Sequence, residues 1–322
     1  MKNKIFARIN SYRKLYKLII AVIAITVVVI AFADEYEKIT YLSRYGLWHI
    51  LALLALMGTY LFVFSYQMLL ALRSCSNVRL RFMPWFKYFI IGRFVNKIAS
   101  QSGIIYRAVF LKRDYGITYA QFAGAFSFLS WLNLVFYFGL AGILILIYDP
   151  HLKFNGVNAA SCVFCFFGIT MIAPVILKMF FRLKPPLTPF FARVYNLVIN
   201  ILNSFSKACK NKLLVGFTTL LALLVFCIVL LQFHVMLSVF DTDLNVAQIS
   251  LFFVLLKLSS ILIITPANIG IREIAFGILA ASSGLSMSEG IMLSAILRII
   301  GYCVVLPLGL IYGGLELWRS NV

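Results

Sequence analysis

The chain has 322 residues, of which 63% are hydrophobic and only 12% are charged, and it carries a formal net charge of +19. A soluble globular domain runs about 45–50% apolar and about 25% charged, so a water-soluble enzyme or binding module is excluded. Apolar runs of the ~18–20 residues that cross hydrocarbon recur, and they are too evenly apolar for barrel strands, which alternate over ~10 residues. The fold class is therefore an all-α polytopic membrane protein, because backbone polar groups in lipid must be satisfied inside helices.

In chain order, residues 1–17 are basic and an apolar run over 18–33 follows. Ala31 and Ala33 before Asp34 resemble a signal-peptidase site, but the run reads as an uncleaved anchor. A span is predicted over 47–72. The basic region 73–116 holds an amphipathic, apolar portion over 82–110. Spans are predicted within 118–148 and over 158–177. After the turn "RLKPPLTP", an amphipathic helix over 190–212 ends in Lys207, Lys210 and Lys212, and reads as an interfacial helix on an anionic leaflet. A span over 213–240 and an apolar segment over 246–264 lead to "TPANIGIREIAFGILAASSG", and the last span covers 288–312.

Charge orients these spans. With the N-terminus in the cytoplasm, segments on that side hold 23 of the 29 Lys and Arg, against three (Lys38, Arg44 and Lys153) in the opposite loops. The remaining three, Lys257, Arg272 and Arg298, lie at membrane depth. This split reads as the positive-inside bias of a multi-pass protein of the cytoplasmic (inner) membrane with both termini cytoplasmic. It makes the basic excess a match for anionic lipid head groups rather than nucleic acid. Parity then requires an odd number of crossings after 240. Three ordinary spans would fit, and the simplest solution has 246–282 enter and leave on the outer side as a re-entrant hairpin. The 12 residues after Gly270 up to Ser282 are too few to cross. Pro266, Asn268 and Gly270 are helix breakers suited to its tip.

The stretch "QSGIIYRAVFLKRDYGIT", 101–118, parallels "NIGIREIAFGILAASSGLS", 268–286, with Gly-to-Gly spacings of 13 and 14. On the charge-derived orientation one dips from inside and the other from outside, which is an inverted repeat of the kind that places a site at the midplane of transporters. The expected architecture is a single integral membrane domain, 1–322, with about six full spans plus two re-entrant helical hairpins. The first half, 1–155, carries a hairpin near 82–115. The second, 156–322, carries one near 246–282.

The segment "TPANIGIREIAFGILAASSGLS" resembles the Pro-x-x-x-Gly-(Val/Ile)-Arg-Glu motif of the lysylphosphatidylglycerol synthase transmembrane family. "NKIASQSGIIYRAVFLKRDYGIT" is similar to that family's first motif, with Ala99 where the family has Pro and Ile104 where it has Glu. "SFLSWLN" is neutral where the family often carries charge. The resemblance covers nearly the whole chain and is to a standalone member without the aminoacyl-transferase domain. It implies a flippase-like lipid translocase region with two re-entrant hairpins.

Ionisable groups at bilayer depth are costly and mark sites. Arg272 is expected to meet a lipid phosphate, with Glu273 pairing it or a second Arg in the empty site; the alternative is a buried ion pair that pins the hairpin tip. Arg298, too deep to snorkel, contacts Glu273 or the same phosphate. Lys257 reads as a ligand contact or as a snorkelling cation, and Arg107 as its counterpart in the first hairpin or a positive-inside residue. The excess of cations over Glu273 suits an anion, since Arg forks onto phosphate oxygens. Asn96, Asn268, Gln101 and Ser102 are candidate hydrogen-bond donors, and Gly103 and Gly270 let backbone approach closely.

His49 and His151 read as interface residues and His234 as a helix–helix contact. The six cysteines, with Cys162 and Cys165 as a C-x-x-C inside a span, read as small hydrophobes rather than a metal or redox site. No cofactor and no catalytic constellation is expected. The functional expectation is a flippase-like protein that moves an anionic phospholipid or a lipid-phosphate carrier between leaflets. Its partners would be anionic lipid head groups and the membrane, with envelope-biosynthesis enzymes or a second copy as candidates. The alternative is a membrane-embedded transferase or accessory protein of lipid or cell-envelope glycan synthesis, for which Glu273 is the obvious carboxylate at depth.

Overall fold

The computed structural model describes residues 44–76, 78–98, 101–154, 156–180, 189–240, 244–261 and 270–320. The anchor predicted over 18–33, and Pro266 and Asn268 of the second hairpin tip, lie outside the described residues. Among the described residues ten helices follow in order: α1 (Leu47–Ser76), α2 (Phe82–Ile98), α3 (Ser102–Tyr115), α4 (Tyr119–Tyr148), α5 (Ala159–Phe180), α6 (Pro189–Lys210), α7 (Lys212–Leu237), α8 (Val246–Ile261), α9 (Ile271–Ser282) and α10 (Met287–Ser320). A two-residue antiparallel ribbon, Lys153–Phe154 against Val157–Asn158, turns the chain between α4 and α5. Five of the helices, α1, α4, α5, α7 and α10, are long and apolar enough to cross a membrane. The protein is an all-helical, multi-pass membrane protein.

Helix starts are marked by side chains that satisfy the first-turn amides, as a low-dielectric surrounding demands. Thr118 and Gln121 form a reciprocal capping box at α4. Ser286 and Glu289 do the same at α10, and Asn245 and Gln248 at α8. The Asn211 carbonyl accepts from Leu214 N at α7.

Helices α1 and α4 are the shared spine, each contributing to two hydrophobic cores. One gathers Leu69, Leu72, Trp85, Phe89, Leu111, Phe128 and Ala208 from α1–α4 and α6. The other gathers Tyr137, Phe226, Phe233, Phe252, Phe253, Phe276 and Leu293 from α4 and α7–α10. Between them, buried Gln67 of α1 donates to Thr218 O of α7 at 2.9 Å and to Asn133 Oδ1 of α4 at 3.4 Å. The outward faces stay apolar: Ile169, Ile172, Val175 and Ile176 of α5 are exposed, as a lipid-facing surface requires. His234, expected between helices, is exposed on α7 instead. Cys165, Cys227 and Cys303 also face outward as free thiols, and Cys75 is the buried one.

The helix predicted over 190–212 forms as α6, and its apolar face is taken by α4. A Cβ on Gly124 would stand 2.5 Å from Ser204 Cβ, Phe205 packs on Phe128 and Trp131, and the Cys75 thiol donates to Ser204 O.

The two segments matched in sequence fold alike. α2, α3 and α4 have 17, 14 and 30 residues, and α8, α9 and α10 have 16, 12 and 34. Each short helix ends at a left-handed glycine, Gly116 or Gly284. Their packing differs. α3 folds back on α2, where a Cβ on Gly103 would collide with Gly92 O; α9 lies along α10, where one on Gly290 would collide with Phe276 O and Ala280. α3 therefore stands off α4, leaving an open apolar cleft of about 410 Å³ lined by Ile104, Ala108, Phe122 and Phe126.

Candidate functional site

The start of α9 organises the site. Gly270 has φ 85°, a left-handed backbone that glycine adopts without strain. Its N–H donates to Glu273 Oε2 at 2.8 Å, so the carboxylate closes the first turn of its own helix. The other oxygen is thereby turned towards α10. Oε1 accepts from Arg298 Nη2 at 2.7 Å and from Ser294 Oγ at 3.2 Å. Arg272 Nε lies 4.0 Å from that same oxygen and donates to Ser294 Oγ at 2.8 Å, while its Nη2 donates to Ser294 O at 2.6 Å. Ser294 and Arg298 are four apart on α10 and so share one face. The side chains of Arg272, Arg298 and Glu273 are 18%, 17% and 10% exposed, so the group is recessed but reachable.

The first half of the chain reaches the same place. Lys97, near the end of α2, sets its ammonium 4.2 Å from the centroid of Tyr302 of α10. It lies within electrostatic reach of Arg272, Arg298 and Arg93. One turn earlier on α2, the Arg93 guanidinium sits 5.3 and 5.2 Å from the ring centroids of Phe64 and Phe89 and lies within electrostatic reach of Tyr60. Lys257 of α8 does not snorkel. Its ammonium is boxed by Tyr137, Phe253 and Tyr60 at 4.9, 5.0 and 5.6 Å, an arrangement that ring quadrupoles favour. Arg93 is the electrostatic neighbour of both Lys257 and Arg107.

Of the residues expected to act, Arg272, Glu273 and Arg298 come together directly, and Lys257 stands beside them through Arg93. Arg107 and Asn96 are instead engaged within the α2–α3 hairpin. Arg107, 4% exposed, donates from Nε to Gly103 O at 3.0 Å and stacks on Phe89. Asn96 Oδ1 accepts from Gly103 N at 2.7 Å. Ser102 donates to Val95 O at 3.2 Å, and Gln101 is exposed with a left-handed backbone, φ 68°.

Arg93, Lys97, Ser294 and the aromatic box were not anticipated. The signal for Arg93 and Lys97 was available, since cations four apart share a face of an otherwise apolar helix. Their position in a basic stretch made them read as cytoplasmic charge. Ser294, four before Arg298, carried the same signal, whereas nothing distinguishes Tyr60 and Tyr137 from the other aromatics of their spans. Among the described residues, Arg272 and Arg298 meet at the carboxylate of Glu273 with Lys97 close by, and Arg93 links this group to Lys257. Chemically such an arrangement holds anions: several fixed donors in low dielectric, preorganised by ring stacking and by a carboxylate that steers two guanidinium groups. No group of three or more His, Cys, Asp or Glu suited to a metal ion occurs among the described residues.

No curated protein and no solved structure matches the chain. Residues 18–309 match the family model described as the lysylphosphatidylglycerol synthase TM region, in keeping with the Gly270–Arg272–Glu273 turn and the all-helical fold. The chain belongs to that family of lipid-related membrane proteins.

Proposed function

We propose that the protein is a flippase-like translocase that passes an anionic phospholipid or lipid-phosphate carrier between the leaflets of the cytoplasmic (inner) membrane. The observation that carries this reading is the meeting of Lys97, from the first half of the chain, with Arg272 and Arg298 of the second around Glu273. In the empty site Glu273 serves as the counter-ion; an arriving phosphate takes over part of that role. The matched helix triplets α2–α4 and α8–α10 support two re-entrant hairpins in an inverted repeat, with the halves rocking about the cations. Both termini lie in the cytoplasm on this reading, following the distribution of Lys and Arg. The chain's own α9 N-terminus and two α10 side chains engage Glu273, which favours transport over a transferase with Glu273 as base.

The test is reconstitution into liposomes with labelled anionic lipids, comparing wild type with Arg272→Ala. Faster lipid exchange with wild type than with the variant is expected. Equal rates in protein-free, wild-type and variant vesicles across several anionic lipids would overturn the proposal.

A further inference from the structure

Resting on the reading of the basic site as a lipid-phosphate site, we infer that it has two anion subsites one helical turn apart, and that its ligand is a lipid whose head group carries two phosphate groups. The first subsite is formed by Arg272, Arg298 and Lys97, where Glu273 already offsets one positive charge. The second is the cluster of Tyr60, Tyr137 and Phe253 around Lys257, with Arg93 beside it. Two observations make this cluster a site rather than filler.

First, the Tyr137 hydroxyl is buried on a residue 1% exposed, and it has no hydrogen-bond partner among the described residues. A buried hydroxyl without a partner is costly, and this one stands in electrostatic reach of Tyr60, which itself lies within reach of Arg93 and Lys257. It is a donor held ready beside two cations. Second, Arg93 and Lys97 are spaced by four on α2, so their side chains leave one helix face about 5–6 Å apart. Arg93 faces the Lys257 cluster and Lys97 faces Arg272 and Arg298. The α2 face thus joins the two subsites. A single phosphodiester fills one; a diphosphate-linked or bisphosphate head group spans both.

The test is binding to detergent-solubilised full-length protein, followed by native mass spectrometry or thermophoresis, with three probes: a prenyl monophosphate, the prenyl diphosphate of equal chain length, and inorganic diphosphate. The lipid diphosphate is expected to bind about tenfold or more tightly than the monophosphate, the scale of one added charge-assisted hydrogen bond, with inorganic diphosphate weaker than either lipid. Tyr137→Phe, which keeps the ring in its box, is expected to bring the diphosphate lipid down to the level of the monophosphate and leave the monophosphate unchanged. Lys257→Gln, which also removes a charge, is expected to weaken the diphosphate lipid more than the monophosphate.

Equal binding of both lipids to wild type overturns the two-subsite inference and leaves the lipid-phosphate reading standing. Failure of both lipids to bind overturns both. Inorganic diphosphate binding as well as the lipid diphosphate overturns the lipid as the source of the anion. Loss of monophosphate binding in Tyr137→Phe overturns the division into two subsites.

Discussion

Replacing Glu273 by Gln removes one charge from the centre of the molecule while keeping its shape. In the wild-type protein the carboxylate accepts from Gly270 N, Ser294 Oγ and Arg298 Nη2, with Arg272 4.0 Å away. Breaking a buried pair by removing one partner costs about 3–5 kcal/mol, because the other charge is left uncompensated. The carboxamide oxygen can still accept one of the three bonds, so a loss of roughly 3 kcal/mol is expected. Apparent Tm in detergent, followed by tryptophan fluorescence, should fall by roughly 5 °C or more. Arg298→Gln alone should lose a similar amount. The double variant should lose less than the sum by roughly 1–3 kcal/mol, since both single changes remove the same Glu273–Arg298 contact. The ligand response should move the other way. With its counter-ion gone, the site competes less with an incoming phosphate, and anionic lipid should raise the Tm of Glu273→Gln more than that of wild type. A Glu273→Gln variant that matches wild type in both Tm and lipid response, or single losses that simply add, would refute this account of Glu273.

Three further outcomes follow from particular contacts. Ser294→Ala removes the hydroxyl that accepts from Arg272 and donates to Glu273; a loss of about 1–3 kcal/mol is expected in the same unfolding assay, together with weaker anionic-lipid binding. Gly103→Ala drives a methyl into Gly92 O between α2 and α3, and overpacking of this kind costs about 1–3 kcal/mol, read as a drop in Tm with no change in the charge of the site. Gly124→Val forces α6 away from α4 at Ser204. Cys75, whose thiol is held on Ser204 O, should then be alkylated about tenfold faster than in wild type, the factor that corresponds to ~1.4 kcal/mol of opening.

The fold was largely legible because lipid imposes simple rules. Segments such as 47–72 and 213–240 have to be helices when no water is available to their backbones, and the structure moves only their ends: the first runs on to Ser76, and the second starts at Lys212 and stops at Leu237. The short helices between glycines were legible from Gly116 and Gly284, which end them in left-handed turns. Within the site, Arg272, Glu273 and Arg298 stood out because charge at depth is rare. Arg93 and Lys97 escaped notice because counting charge along the chain cannot tell a cation in a cytoplasmic loop from one turned inward on an amphipathic helix. The contacts of Asn96 and Arg107 were not legible for a related reason. Sequence shows that a polar group is present but not that Gly103 supplies its partner, one turn away for Arg107 and across the α2–α3 turn for Asn96.

The difference in packing between the two matched units has a mechanical consequence. Gly277 and Gly290 lock α9 to α10 so closely that the short helix must travel with the long one, while α3 is locked to α2 and meets α4 only loosely across an open cleft. The joint that can slip therefore falls at a different seam in each half. Openings to the two sides would then part unlike surfaces and meet unlike barriers, while each still closes along the route by which it opened.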